Sequence, residues 1–219
     1  MPQNRFHKKL HLIAATVVLA LTHTCGFAQY NGYSAIADEA AFKVRFAAEA
    51  SKISSISSDF TQEKELMALT EKITSTGKFW YRKSDKIRME YLKPFSYLII
   101  INGDKLTIRD HDKENRVNVK SSKLFQQVNR ILIDCVQGSI LNSREFSSRV
   151  FESQRSWLIE LTPTSKTFHE LFKTIVLVVD RSSYAVDSVT MNEVAGDVTK
   201  IVFDHKKLNE PIPETVFTR

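Results

Sequence analysis

The chain has 219 residues, of which 42% are hydrophobic and 26% are charged, and its formal net charge is +6. A chain of this length and composition can bury the core of one folded domain. The small positive charge does not favour nucleic acid binding, because the sequence has no basic cluster interleaved with aromatic residues. We therefore expect no nucleic acid partner.

The first 28 residues have the pattern of a secretory signal peptide. A basic start precedes an apolar run between Leu10 and Leu21, and Gly26-Phe27-Ala28 offers a small-x-small cleavage site. The apolar run is too short to span a bilayer, which needs about 20 residues. We expect an exported protein whose single domain comprises residues 29–219, with its mature chain beginning at Gln29.

A cysteine inside this leader leaves a second possibility open. Lipid-modified exported proteins keep a cysteine at the start of the mature chain, so Cys25 could carry a membrane anchor. The preceding Thr22-His23-Thr24 fits that signal poorly, because a small residue usually stands just before the cysteine, and plain cleavage is favoured. Cleavage after Ala28 leaves Cys135 alone and excludes an internal disulfide.

The first half of the mature chain predicts one helix followed by antiparallel strands. A helix is expected over residues 38–53, with Asp38 as its cap and with Phe42, Phe46 and Ile53 on one face. Short turn sequences such as Asn102-Gly103 then separate alternating segments, and such links join antiparallel neighbours. The predicted strands lie near 57–66, 70–83, 86–92, 96–101, 105–110 and 115–119.

The second half predicts another helix and five more strands. The helix should cover residues 122–141, and Gly138 weakens its end. Its apolar stripe consists of Leu124, Val128, Ile131, Leu132, Cys135 and Val136. Strands follow near 146–152, 156–162, 172–180, 184–193 and 198–205, with Gly196-Asp197 marking the last hairpin. The pattern predicts a mainly β (α+β) fold, in which about eleven antiparallel strands form a large curved sheet that closes partly on itself around its helices.

Alternation along two neighbouring strands predicts which side chains face the interior. Phe79 and Tyr81 share one side of their strand, and Ile87, Met89 and Tyr91 share one side of the next. The complete predicted lining consists of Phe60, Phe79, Tyr81, Ile87, Met89, Tyr91, Leu98 and Ile100.

The same alternation places a cation at the rim of this apolar face. Lys83 has the parity of Phe79 and Tyr81, and an unpaired buried charge would be costly. Two alternatives stay open from the residues alone. Lys83 either bonds to backbone carbonyls at the end of a lid helix, where the helix dipole is negative, or lies in solvent beyond the strand.

The sequence offers no pattern typical of an enzyme. His111, His169 and His205 lie in separate segments, and none has the spacing of metal ligands. The Asp110-His111-Asp112 stretch belongs to a polar turn, and Cys135 lies on an apolar helix stripe, which favours a buried hydrophobe. We expect no catalytic residues, no metal site and no cofactor.

An ordered series of short motifs resembles the LolA family of periplasmic lipoprotein carriers. The motifs are Phe60-Thr61-Gln62, then Gly77-Lys78-Phe79-Trp80-Tyr81-Arg82-Lys83, then Ile87-Arg88-Met89-Glu90-Tyr91 with Pro94, then Leu98-Ile99-Ile100-Ile101. The resemblance implies a fold that agrees with the predicted curved sheet: an unclosed antiparallel β-barrel of about eleven strands with a helical lid. It also implies that Lys83, which stands where the family has an arginine followed by proline, latches the lid.

The resemblance also implies a function and a set of partners. The expected protein is a monomeric periplasmic carrier that binds acylated lipoproteins non-covalently. It would accept them from an inner-membrane ABC transporter of the LolCDE type and deliver them to the outer membrane, to an acceptor if one exists. Alternatives are a membrane-tethered lipoprotein acceptor anchored at Cys25, an envelope sensor of the RseB type, or another lipid binder on the same fold.

Overall fold

The computed structural model describes residues 30–69, 71–83, 85–103, 105–110, 113–118, 131 and 133–218. The predicted signal peptide (1–28) lies outside the described residues, as do Leu124, Val128 and Leu132 of the predicted lid and the turn residue His111.

The first helix, α1 (Glu39–Ala50), begins where the sequence predicts. The Asp38 side chain accepts a hydrogen bond from the Ala41 backbone N–H at 2.9 Å, which caps the helix. Phe42 and Phe46 are buried on its inner side. The helix ends three residues before the predicted end, because the backbone N–H groups of residues 52 and 53 bond only three residues back and the chain turns towards the sheet.

The described part of the chain contains twelve strands, which form one sheet. Their bounds are β1 (Ser34–Ala35), β2 (Ser55–Glu65), β3 (Lys72–Arg82), β4 (Lys86–Lys93), β5 (Tyr97–Asn102), β6 (Lys105–Asp110), β7 (Lys113–Asn118), β8 (Phe146–Glu152), β9 (Ser156–Pro163), β10 (Phe172–Asp180), β11 (Val186–Glu193) and β12 (Val198–Leu208). A short helical turn covers Lys166–His169, and 3-10 turns cover Ser139–Asn142 and Glu214–Phe217.

All twelve strands belong to one antiparallel sheet in the order β1-β8-β9-β10-β11-β12-β2-β3-β4-β5-β6-β7. Strands β12 and β2 join the two sequence halves in the middle of the sheet. Strands β1 and β7 stand at its two ends, and no ladder joins them among the described residues. The predicted fold class, an unclosed antiparallel barrel of about eleven strands, is confirmed; the additional strand, β1, has only two residues.

The inner face of the sheet carries two apolar clusters. The first, called the α1 cluster here, joins α1 to β8–β11 and contains Phe46, Trp157 and Ile159. The second, called the lining cluster, lies mainly on β2–β6 and contains Phe60, Phe79, Tyr81, Ile87 and Met89. Residues 131 and 133–142, which precede β8, pack against both clusters.

This segment is the described part of the predicted lid. Residues 131 and 133–137 are helical, and a 3-10 turn follows at Ser139–Asn142. The α-helix stops at Gly138 instead of continuing to residue 141, because Gly138 has a φ of +71°. A Cβ atom there would lie 2.8 Å from the Cβ of Ala50 and 3.0 Å from the Phe46 ring, so glycine lets this segment pack directly on α1.

Candidate functional site

The candidate site is the inner surface of β2, β3 and β4 beneath the lid segment. Phe79 pairs with Met89 and Tyr81 pairs with Ile87 across β3 and β4, so these four side chains point to the same side of the sheet. All four are buried, and Phe60 joins them from β2. Tyr91 is half-buried and packs edge-to-face on the Phe60 ring at 5.0 Å between centroids.

Two residues of the predicted lining lie on the opposite face. Leu98 pairs with Glu90 and Ile100 pairs with Arg88, and both pack in an outer cluster with Phe217. Their predicted placement in the lining is therefore wrong. Ile101 of β5 faces the lining cluster instead, and Ile99 is partly buried against it. Four consecutive apolar residues show no alternation, so the face of each depends on the register with β4.

The C-terminal segment covers this outer face. Phe217, which is 2% exposed, packs on Leu98 and Ile100, and the Arg82 guanidinium lies 5.2 Å from the centre of its ring. Arg82 Nη1 also donates to the backbone oxygen of Ile212 at 2.8 Å. The outer face is thus occupied by the chain itself, which leaves the inner face as the candidate binding surface.

The lid segment contacts both inner clusters. Ile133 and Val136 pack against the lining cluster, whereas Ile131 and Cys135 pack against the α1 cluster. Burial raises the pKa of the Cys135 thiol, so this side chain behaves as a small buried hydrophobe. The predicted stripe included Cys135 and Ile131 but missed Ile133, because a single stripe does not describe a helix that contacts two clusters.

Two hydrogen bonds satisfy tyrosine hydroxyls in this site. The Gln137 amide donates to the Tyr81 hydroxyl at 3.0 Å, which ties the lid segment to β3. The Tyr91 hydroxyl donates to the Gln62 amide oxygen at 2.9 Å, and burial raises the pKa of Tyr91 to about 12. Burial also raises the pKa of Tyr81, so both hydroxyls stay neutral at physiological pH.

Lys83, the predicted lid latch, bonds to the end of α1. Its Nζ donates to the backbone oxygen of Ser51 at 2.6 Å, just after the last residue of that helix. Carbonyl groups at a helix C-terminus carry partial negative charge, so the contact has the predicted chemistry. Its observed partner is the residue that caps α1, and not one of the lid residues that the structure describes.

One end of the barrel carries an apolar rim. Glu65 pairs with both Lys72 and Val198, so the β2–β3 and β11–β12 turns lie at the same end, and the pairing of Lys93 with Thr76 places the β4–β5 turn there too. Six exposed apolar side chains occupy this end: Met67, Leu69, Ile73, Leu92, Phe95 and Val194. Met67 is 76% exposed and Phe95 is 69% exposed. Sequence reasoning missed this rim, although all its members except Ile73 are visible as apolar residues in or beside a predicted turn.

The described histidines do not converge on a reactive centre. His169 is exposed at the end of the short helical turn, and His205 Nδ1 lies 3.1 Å from an Asp59 carboxylate oxygen on the outside of the sheet. Within the described ranges, no group of three or more His, Cys, Asp or Glu side chains could hold a metal ion. The described helices also include none that is both long and apolar enough to cross a membrane.

Comparison with solved structures finds several distantly similar proteins. A LolA superfamily protein from Nitrosomonas europaea is 12% identical, with a TM-score of 0.42 over 81% of this chain and 97% of that one. The MucA/MucB complex structure from Pseudomonas aeruginosa gives 14% identity and a TM-score of 0.48 over 81% of this chain and 60% of the matched chain. The lipoprotein LppX from Mycobacterium tuberculosis gives 11% identity and a TM-score of 0.43 over 78% and 96%.

Comparison at the sequence level identifies the family. No curated protein matches the chain. The family model of the outer membrane lipoprotein carrier protein LolA matches residues 51–219, which include all the strands from β2 to β12, the lining cluster on them and the C-terminal segment. The chain belongs to the LolA family of outer membrane lipoprotein carrier proteins.

Proposed function

We propose that this protein is a periplasmic carrier that binds the acyl chains of lipoproteins against its lining cluster. Members of its family are carriers or binders of lipids and lipoproteins, and not enzymes. The observation that carries the proposal is the continuous apolar surface of Phe60, Phe79, Ile87 and Met89 beneath a separate helical segment. The carrier is proposed to act as a monomer without a cofactor.

The energetics of an acyl chain in water explain why such a surface is needed. Each buried methylene is worth about 0.8 kcal/mol, so a chain of about 16 carbons carries roughly 12 kcal/mol of unfavourable hydration. A lipid-anchored protein cannot cross an aqueous compartment with that surface exposed. The proposed donor is an inner-membrane ABC transporter of the LolCDE type, and the proposed destination is the outer membrane, directly or through an acceptor.

The lid segment covers the lining cluster, so it has to move before cargo can bind there. The lining side chains are less than a tenth exposed, and Ile133 of the lid packs against them. Acyl chains would replace the apolar contacts that the lid leaves, so the change in buried apolar area is small. The exposed apolar rim, with Met67 and Phe95, supports contact with other apolar molecules at one end of the barrel.

Binding of a triacylated lipopeptide tests this proposal. Ile87→Glu should weaken binding at least tenfold, because its carboxylate would have to lose water beside the acyl chains. Thr162→Glu introduces the same side chain at an exposed position on β9 and should bind as wild type. If the two folded variants bound equally well, the acyl chains would not lie on the lining cluster.

The mature N-terminus separates the shuttle from its tethered alternative. Mass spectrometry of the exported protein should find an unmodified chain that begins at Gln29. An acylated Cys25 would contradict the shuttle and would instead favour a membrane-tethered acceptor.

A further inference from the structure

A pocket lies between the lid segment and the start of β8, separate from the lining cluster. Its volume is about 490 Å³, which falls in the range of about 300–1,000 Å³ typical of small-molecule sites. Ile131, Ile140, Phe146 and Phe168 form its apolar part. Three of them belong to the α1 cluster, and Ile131 packs against that cluster. We call this cavity the lid-end pocket.

The apolar wall of the lid-end pocket consists largely of buried core residues. Ile140 is 1% exposed, and the Phe146 and Phe168 rings are stacked with 5.1 Å between their centroids. The wall therefore comes from residues that are fixed in the core, and an apolar chain could lie on it without reorganising the sheet.

The wall of the pocket carries one cation, Arg144, and two carboxylates, those of Asp134 and Glu145. Arg144 and Glu145 both contribute to its wall and are exposed. Neither side chain forms an ion pair or hydrogen bond with any residue in the described part of the chain. The Asp134 carboxylate, by contrast, already accepts a hydrogen bond from the Ser139 hydroxyl at 2.8 Å.

The backbone holds these two residues in place. Thr164 Oγ1 donates to the backbone oxygen of Arg144 at 2.8 Å, and Thr164 N–H donates to that of Glu145, also at 2.8 Å. The Glu145 N–H donates to the Ser143 hydroxyl at 3.1 Å. Two consecutive residues of opposite charge thus line the apolar pocket from a loop whose backbone is anchored.

We propose that the lid-end pocket binds one acyl chain of a lipid with a zwitterionic phosphate-amine head. The chain lies on Phe146 and Phe168, the phosphate meets the Arg144 guanidinium, and the ammonium meets the Glu145 carboxylate. A head that is only anionic would be repelled by the Glu145 carboxylate. An uncharged head would give neither Arg144 nor Glu145 a partner of opposite charge. This second lipid site goes beyond the proposed carrier function, because no residue of the lining cluster contributes to it.

Titration of the full mature protein with lysophosphatidylethanolamine, below its micelle concentration, tests the pocket. Wild type should bind, and Asn142→Trp, at an exposed position in the pocket wall, should weaken binding at least tenfold by filling the cavity. Thr162→Trp, an equally large change on an exposed part of β9, should bind as wild type. If Asn142→Trp kept wild-type affinity, the proposal would be wrong.

Two variants and a second probe test the head group. Arg144→Gln should weaken binding of lysophosphatidylethanolamine and of lysophosphatidic acid, which lacks the amine, by about fivefold or more. Glu145→Gln should weaken only the amine-bearing probe. Equal affinities of Glu145→Gln and wild type for that probe would overturn the assignment of the ammonium site.

The lining variant separates this site from the carrier function. Ile87→Glu should lose the lipopeptide and keep lysophosphatidylethanolamine at wild-type affinity. Loss of both ligands in a folded Ile87→Glu variant would place the single-chain lipid on the lining cluster and contradict a second site.

Discussion

Tyr81 lies on β3 and Lys83 lies just after its end, and each bonds to a different helical segment. Tyr81 accepts a hydrogen bond from Gln137 of the lid, whereas Lys83 donates to Ser51 at the end of α1. Tyr81 is fully buried, Gln137 is half-buried and Lys83 is exposed, so only the loss of the tyrosine hydroxyl leaves a partly buried donor without its partner. At the residue scale, Tyr81 should therefore hold the lid more strongly than Lys83.

Tyr81→Phe should loosen the lid with little change in packing. Removal of the hydroxyl leaves the Gln137 amide without its acceptor and should cost about 1–2 kcal/mol in lid closure. Amide exchange of residues 133–137 measures this change and should become faster. Tyr91→Phe is the matched control, because its hydroxyl bonds to Gln62 and not to the lid. Equal exchange in both variants would mean that the Tyr81 bond does not hold the lid.

Lys83→Leu should act on α1 instead of the lid. The bond to Ser51 is exposed, so its loss should cost less than about 1 kcal/mol. Amides of residues 51–53 should exchange faster, those of residues 133–137 should not change, and Lys83→Arg should restore the wild-type rates. Faster exchange confined to residues 133–137 would instead support Lys83 as the lid latch that the family resemblance implies.

At the scale of elements, Gly138 joins the lid to α1. Its positive φ ends the α-helix, and its missing side chain lets the turn approach Ala50 and Phe46. Because the segment before this turn covers the lining cluster, the close approach at Gly138 couples the position of α1 to the position of the lid.

Gly138→Ala should destabilise the protein by two separable effects. The first is strain of an L residue at positive φ, and the second is collision of the new Cβ with Ala50. Gly103→Ala isolates the first, since Gly103 has a φ of +58° and no atom within 4 Å of a built Cβ. Urea unfolding should show that Gly138→Ala costs about 1–3 kcal/mol more than Gly103→Ala. Equal costs would mean that the lid and α1 are not closely packed.

The turn between β10 and β11 makes stability depend on pH. Partial burial raises the pKa of Asp180, but hydrogen bonds from the side chains and backbone N–H groups of Ser182 and Ser183 outweigh it and hold this pKa below its ordinary value. A pKa that is lower in the folded state gives stability that is present above the unfolded pKa, near pH 4, and is lost as pH falls through the folded value.

Asp180→Asn should therefore lower the melting temperature at pH 6, and the difference from wild type should shrink below about pH 4. Melting curves of both proteins between pH 2.5 and pH 7 measure this. A difference that stayed constant across this range would show that the carboxylate charge has no role in the turn.

The success of the sequence predictions depends on how local each signal is. Strict alternation in residues 79–81 and 87–91 correctly placed Phe79, Tyr81, Ile87 and Met89 on the inner face, and Asp38 marked its helix start. The Leu98–Ile101 run has no alternation, so its faces depend on pairing with β4 and on cover by Phe217 from far along the chain. The partner of Lys83 likewise depends on where α1 ends in space, which no local pattern contains.

At the scale of the whole molecule, the two faces of one sheet have different covers. The outer face of β3–β5 is covered by the C-terminal segment through Phe217 and the arginine contacts around it. The inner face is covered by a lid segment that ends at a glycine and is tied to β3 by Gln137. The outer cover is built from several charged and apolar contacts, so the inner cover is the one that acyl chains are expected to displace.

The most direct test of this account uses a lipopeptide with a photoactivatable diazirine in its acyl chain. After irradiation, mass spectrometry of the protein fragments identifies the residues that contact the chain. The account predicts adducts on the lining cluster, at Phe79, Ile87, Met89 or Tyr91. Adducts confined to Leu98 and Ile100 on the outer face, or to the exposed rim at Met67 and Phe95, would contradict it.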